Sequence, residues 1–472
     1  MQTDCSAGQL DFLGFLGRRV EAAFDGGRQT SDAGLLLLRE VAERTGLLRR
    51  FADCFTDYRR PDLIEHTVSE LVSQRVLAQV QGYEDLNDHD TLRDDPLLAL
   101  ASGKRDLVGA ERVRQRDRGH ALAGKSTLNR WERTPAEATA ASRYHKIVYD
   151  GAAISRVFVD HFLEAHATPP TRIVLDLDAT DDPLHGQQEG RFFHGYYRQY
   201  CYLPLYVFCG EFLLWAELRR SDIDASAGSV EALEAIVGRI RTRWPDVEIW
   251  IRADSGFARE AIMKWCEDQG VEYVLGLARN RRLVRAIGRE LAQVRKEAQR
   301  TGEKARCFKD LRYRTKKSWS RSRRVVAKAE QLGDKSNPRF VVTSLAAPSY
   351  PAAELYERLY CARGDMENRI KEQQLGMFAD RTSTAMMRGN QLRLWIASLA
   401  YTLAQALRRI GLRGTSLATA QVSTIRVRLL KLSGLVKISV RRIRIALASA
   451  FPLQEDFAHA LRNLTQIPSP VA

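Results

Sequence analysis

Arg172-Ile173-Val174-Leu175-Asp176-Leu177-Asp178-Ala179-Thr180-Asp181-Asp182 decides how the rest of the chain is read. Ile173, Leu175 and Leu177 alternate with Val174, Asp176 and Asp178, the two-residue period of a strand. The segment is too apolar for a surface strand, yet one face carries two acids. A carboxylate beside a core strand is unfavourable unless it is paired, hydrogen-bonded or bound to a metal. Two readings stand here: an acidic strand end running into an Asp-rich turn, or part of a metal site. Further carboxylates downstream decide between them.

Two more apolar runs follow, 202–208 and 212–218, joined by Cys209-Gly210-Glu211, and read as strands that continue an antiparallel succession. Residues 227–244 read as a helix ended by Pro245. A strand over 248–253 stops at Asp254-Ser255-Gly256, and a helix over 258–269 and a strand over 272–277 complete the pattern. The order β-β-β-α-β-α-β is that of a ribonuclease-H-like α/β domain, a mixed five-stranded sheet with helices on both faces. There the first and fourth strands are neighbours. Asp178 and Asp254 then face one another across a sequence gap of 254 − 178 = 76 residues.

The 472-residue chain is 44% hydrophobic and 28% charged, a globular composition long enough for two to four domains. A formal charge of +15 and a pI near 9.6 point to a polyanionic partner, nucleic acid ahead of a membrane surface. Seven cysteines without a CxxC pair read as reduced thiols, neither a disulfide framework nor a zinc site. The N-terminal residues show no basic segment followed by an apolar core, and no apolar run approaches the roughly 18 residues of a membrane span. These features predict a cytoplasmic, nucleoid-associated protein with no membrane partner.

Residues 1–168 read as a mainly helical N-terminal DNA-binding region. Residues 33–43 are leucine-rich, and Pro61 opens a second helix carrying Val68, Leu71, Val72, Val76 and Leu77. The acidic run from Glu84 to Asp90 lacks the sixth-position glycine of an EF-hand and reads as turn and capping chemistry. Gly119-His120-Ala121-Leu122-Ala123-Gly124-Lys125-Ser126 fits the P-loop pattern, which would imply a nucleotide triphosphatase. A P-loop follows a buried strand, whereas Glu111 to Arg118 is far too charged for one. The match is therefore read as accidental. The cations from Lys104 to Arg130 make better sense as a phosphate-contacting surface, with a solvated loop as the alternative.

Residues 280–350 form a basic, β-rich stretch. Eleven lysines and arginines between Lys304 and Lys328 meet one acid, Asp310, with Phe308, Tyr313 and Trp319 interleaved. That mixture suits a surface holding a nucleic acid backbone and stacking unpaired bases; a solvated hairpin with core aromatics is the alternative. Lys316, Lys317, Trp319, Arg321, Arg323 and Arg324 are its candidate DNA contacts, and 340–345 reads as a returning strand. From Arg381 to Ala450 there are thirteen cations and no acid. Within it, 392–407 reads as a helix on the sheet, and 436–444 as a strand-like stretch whose cationic face, with Arg441 and Arg442, suits phosphates.

A helix is predicted to begin at Glu354. Tyr360, Arg363, Glu367 and Lys371 fall along one of its faces, and alone they would read as a ladder of surface ion pairs. They are not alone. An Asp on a first strand, an Asp closing the fourth and a Glu on a later helix are what two-metal phosphoryl transfer requires, with oxygen ligands suited to Mg²⁺.

In these residues the chain resembles the DDE-type insertion-sequence transposases, most closely the bacterial insertion-sequence family numbered 1380. The likeness rests on Leu175 to Pro183, His185-Gly186-Gln187-Gln188-Glu189-Gly190, Tyr202-Leu203-Pro204-Leu205, Arg252-Ala253-Asp254-Ser255-Gly256-Phe257 and Tyr360 to Lys371. Ser126 to Glu132, overlapping the P-loop match, also resembles a family segment. The resemblance implies Asp178, Asp254 and Glu367 as catalytic acids and ligands of two Mg²⁺ ions, Mn²⁺ substituting. Asp176, Tyr360, Arg363 and Lys371 are implied as support. Relatives carry Tyr-x2-Arg-x3-Glu-x6-Lys around the last acid, whereas this sequence has Gln374 at the lysine position. Lys371 is the candidate replacement.

The implied partner is double-stranded DNA, the element's terminal inverted repeats and the target, bound by a homodimer. Arg130, Arg441, Arg442 and the cations of the basic stretch are the expected contacts, with Trp319 offered to a flipped base. The expected division is 1–168 for DNA binding, 169–279 and 351–410 for the catalytic core, 280–350 for an insertion and 411–472 for a basic C-terminal region. A ribonuclease-H-like nuclease, an inactive DNA-binding derivative and, remotely, a P-loop ATPase stay open as alternatives.

Overall fold

A computed structural model describes residues 9–467; Cys5 and the N-terminal residues read above for a signal peptide lie outside them. Strands β1 (Arg172–Ala179), β2 (Leu205–Cys209), β3 (Phe212–Glu217), β4 (Glu248–Ala253) and β5 (Glu272–Leu277) are hydrogen-bonded in the order β3-β2-β1-β4-β5. β1, β4 and β5 run parallel, while β2 and β3 are antiparallel additions. The result is a mixed α/β protein on a large mixed sheet, consistent with a ribonuclease-H-like fold.

The sheet does not end at the five strands expected. β6 (Ala305–Tyr313), β7 (Arg323–Leu332) and β8 (Arg339–Thr343) continue it, with β8 antiparallel to β5 and the order β5-β8-β7-β6. Charge had hidden these strands. Arg323 and Arg324 look solvent-seeking in the sequence, yet both are buried on β7 beside acids.

Alternation along β1 sends Ile173, Leu175 and Leu177 into a core with α2 (Gly151–Glu164), α3 (Ser229–Arg243) and α4 (Glu260–Gln269). Val174, Asp176 and Asp178 occupy the opposite face. There Tyr206, Phe208, Leu213 and Ala216 of β2 and β3 join a second core with α6 (Met387–Ala406). α6 also packs on α1 (Val68–Gln81), so N-terminal and C-terminal helices share one apolar cluster.

α1 starts at a capping box, in which Thr67 accepts from Glu70 N and Glu70 accepts from Thr67 N, and it stops at Gly82 with φ +97°. Glu132 is buried and pairs with both Arg75 of α1 (3.1 Å) and Arg393 of α6 (2.7 Å). The family-like segment ending in Glu132 therefore ties these helices together.

Two local expectations are corrected. Leu10–Phe15 and Arg18–Ala22 form an exposed β-hairpin in the region read as helical. The helix predicted from Glu354 is broken into a short turn, a wide-turned segment Leu355–Tyr360, a tight turn Cys361–Arg363 and α5 (Gly364–Lys371).

Candidate active site

The backbone register of two strands brings the first two acids together. Leu177 of β1 lies opposite Ala253 of β4 in a parallel ladder, so Asp178 and Asp254, one step further, are next to each other. Neighbouring strands are about 4.8 Å apart, within reach of a shared ligand. Asp254 Oδ1 accepts a hydrogen bond from Gly256 N (2.8 Å). A Cβ at Gly256 would stand 3.0 Å from that same oxygen, which accounts for glycine in the Asp-Ser-Gly turn.

Glu367 comes from α5, whose Met366 and Ile370 are buried in the helical core. Arg363 spans the acids: its Nη2 donates to Glu367 Oε1 at 2.5 Å and its Nη1 lies 3.9 Å from Asp178 Oδ2. Burial, together with Asp254 and Glu367, pushes the Asp178 carboxyl up to about 7 despite the opposing Arg363 charge. Burial works against the Arg363 guanidinium, but Asp178 and Glu367 hold it above its ordinary value.

Asp176 has a different fate. Arg252 on β4 grips both of its oxygens, at 2.5 and 2.7 Å, and also donates to Leu359 O at 2.7 Å. Its side chain is only 6% exposed, against 17% for Asp178. The bidentate pair fixes the segment before α5 against β1 and leaves Asp176 no free oxygen facing Asp178's neighbours. Tyr360 packs over β5, where a Cβ at Gly276 would lie 2.5 Å from its hydroxyl. Lys371 is exposed and makes no ion pair among the described residues, so the second rung of the expected ladder is absent. Gln374, at the signature lysine's position, donates instead to Asp181 O (3.2 Å) and ties the end of the Glu-bearing segment to the turn after β1.

Reading the sequence missed Arg252's role and Tyr197. The Tyr197 hydroxyl makes a long hydrogen bond to Ala179 O (3.5 Å), and burial with nearby Asp181 and Asp178 raises its ionisation. The tyrosines of the 196–200 segment were the available signal.

Among the described residues no group of three His, Cys, Asp or Glu side chains is gathered closely enough to hold a metal ion. The donor chemistry nevertheless fits one. Three carboxylates converge with a partly buried member short of positive charge, which suits a hard divalent cation and oxygen ligands. Arg363 supplies the positive charge in this arrangement.

Several expected DNA contacts are corrected. Trp319 is 3% exposed and packs edge-on against Tyr313 (5.6 Å, 87°), so its indole area belongs to the core and is not offered to a base. Arg323 is buried between Glu260 (2.6 Å) and Glu267 (2.7 Å), and Arg324 is held by Asp310 (2.6 Å) and two carbonyls. Arg321 is exposed but paired with Glu267 (2.5 Å). Lys316, Lys317, Arg130, Arg441 and Arg442 are exposed. The P-loop reading fails as well. A single turn, Gln115–Asp117, precedes it in place of a strand, and Asp90 accepts from Lys125 N and pairs with Lys125 Nζ, both at 3.1 Å. A carboxylate thus sits where a phosphate would be cradled.

Fold and site together define a mixed α/β protein with acids at the carboxyl ends of adjacent parallel strands, in a strongly basic chain. A family model described as transposase DDE domain group 1 matches residues 14–469, and the chain belongs to that family. Members of such a family are implied in DNA cleavage and transposition by phosphoryl transfer. A comparison with curated proteins finds no match. No helix among the described residues is long and apolar enough to cross a membrane.

Proposed function

We propose that this chain is an active insertion-sequence transposase, similar to the family numbered 1380, which binds its element's ends, cuts them and joins them to target DNA. The observation that carries this reading is the parallel register setting Asp178 beside Asp254, with Glu367 linked to both through Arg363. Asp178, Asp254 and Glu367 would hold two Mg²⁺ ions, or Mn²⁺ in their place, which supply Lewis-acid charge to the entering and leaving oxygens of an in-line displacement.

The chain's own residues do the rest. Arg363 offers a planar fork of donors to the scissile phosphate, a geometry lysine lacks. Lys371, one turn after Glu367, adds an unpaired cation on the same side. Arg252 neutralises Asp176, so that acid braces the site and does not join the ligand set. Two copies pair two DNA ends.

The test is incubation with Mg²⁺ and DNA bearing the element's ends. Cleavage and joining should fall by at least roughly 100-fold in Asp178→Asn, Asp254→Asn and Glu367→Gln, with DNA binding retained. Wild-type cleavage without joining would favour a nuclease. Binding with no cleavage would favour an inactive derivative, and loss only in Asp176→Asn would move the first ligand by two residues.

A further inference from the structure

A second positively charged feature lies far along the chain from the acids, in the hairpin of Gly434–Ile438 and Ile443–Leu447. Its base is anchored, since Gly434 and Leu435 pair with Thr30 and Gln29, and Val436 is buried. Beyond Val436 the ribbon projects. Ile438 and Ile443 are partly exposed and Val440 is fully exposed. The tip is nonetheless ordered: Ser439 N and Ser439 Oγ both donate to Arg442 O, at 2.9 and 3.0 Å.

Register makes the charge pattern unusual. Lys437 lies directly opposite Arg444, a like-charge cross-strand pair that works against the hairpin. Arg441 and Arg442 add two cations at the tip, and none of the four has an ion-pair partner among the described residues. No acid occurs between Arg381 and Ala450. Across an open cavity of about 740 Å³ from the ribbon lies the loop carrying exposed Arg105. On that rim Asp106 is turned inward to accept from the backbone of Val108, Gly109 and Glu111, which leaves Glu111 as its one outward acid.

We propose that this ribbon enters the major groove of duplex DNA, with Lys437 and Arg444 on flanking phosphates and Arg441 and Arg442 at its leading edge. A major groove about 12 Å wide admits a two-stranded ribbon. Phosphates on its cationic face convert the repulsion of Lys437 and Arg444 into shared attraction. A protein partner would have to bring a matching acidic cleft; duplex DNA offers that charge along its whole length. The inference deepens the transposase reading, because it names the surface that grips DNA away from the acids.

The test uses the full chain and a random-sequence duplex of about 30 base pairs without metal, measured by fluorescence anisotropy over a salt series. Replacing all four cations (Lys437→Gln, Arg441→Gln, Arg442→Gln, Arg444→Gln) should weaken binding at least tenfold. It should also flatten the slope of log affinity against log salt by about 3 to 4, near 0.9 per lost phosphate contact. Lys437→Gln alone should leave the thermal midpoint unchanged or raised while lowering affinity, because it removes a like-charge pair. An unchanged slope, or a lowered midpoint accounting for the lost affinity, overturns the ribbon's role. Metal-dependent cleavage of terminal DNA by the wild type is scored separately. If the slope flattens but no cleavage occurs, the ribbon stands and the transposase reading falls. If cleavage occurs with an unchanged slope, the reverse holds.

Discussion

Asp176 and Asp178 sit two residues apart on one strand face, and a single neighbour separates their roles. Arg252 takes both oxygens of Asp176, while Asp178 meets Arg363 only at 3.9 Å. The alternation exposing both acids to one face was legible in the sequence, because a strand's period is local. Their division of labour was not, since Arg252 is 76 residues away and becomes a partner only through sheet pairing. Removing Arg252 leaves a buried carboxylate without its partner, which is costly. Arg252→Ala is therefore expected to lose about 3–5 kcal/mol of stability in urea titrations. Adding Asp176→Ala should recover part of that loss. A double variant no more stable than Arg252→Ala alone would rule out the bidentate pair as the cause.

At the scale of elements, the same basic stretch holds two kinds of cation. Arg323 on β7 clamps Glu260 and Glu267 of α4, whereas Lys316 and Lys317 lie exposed in the loop between β6 and β7. Composition sums them alike, so counting charges across 304–328 suggested a uniform nucleic acid surface. Burial distinguishes them only once the strand is placed inside the sheet. Arg323→Ala is expected to lower the unfolding free energy by about 3 kcal/mol or more through two orphaned carboxylates. Lys316→Ala with Lys317→Ala should change it by less than about 0.5 kcal/mol. Equal thermal midpoints for the two variants would contradict this division. The segment before α5 shows the other limit of sequence reading. Helical spacing correctly put Arg363 next to Glu367, yet the wide and tight turns before α5 depend on what the chain packs against, including Gly276 under Tyr360.

For the whole molecule, acid sensitivity follows from buried histidines. Burial holds His66 and His161 down at about 3 and His89 well below its ordinary value. Below pH 6.5 the unfolded chain takes up protons that these folded side chains refuse. The contribution is therefore complete above pH 6.5 and is lost as pH falls towards 3. Asp178, raised to about 7, acts oppositely, since its folded form gains a proton between pH 7 and 4 that the unfolded form lacks. At pH 5 His161 alone should lower stability by about 2 kcal/mol relative to pH 7. Urea midpoints at the two pH values check this, and His161→Leu should shrink the difference. An identical drop in the variant would remove His161 as a cause. The order of β1 to β5 was readable along the chain because each strand has its own period and bounding turns. The shared core of α1 and α6 was not, because it joins segments about 300 residues apart.

The parallel register of β1 and β4 also bears on how the gene behind this protein can change. The separation of Asp178 and Asp254 belongs to backbone hydrogen bonds, so most single-base substitutions elsewhere leave it intact. Loss of one codon within residues 173–177 is different. It turns every side chain on one flank of the gap to the other side of the sheet, and the two acids no longer meet. Copies of the gene should thus tolerate drift by substitution and lose function abruptly through very short in-frame deletions in this strand.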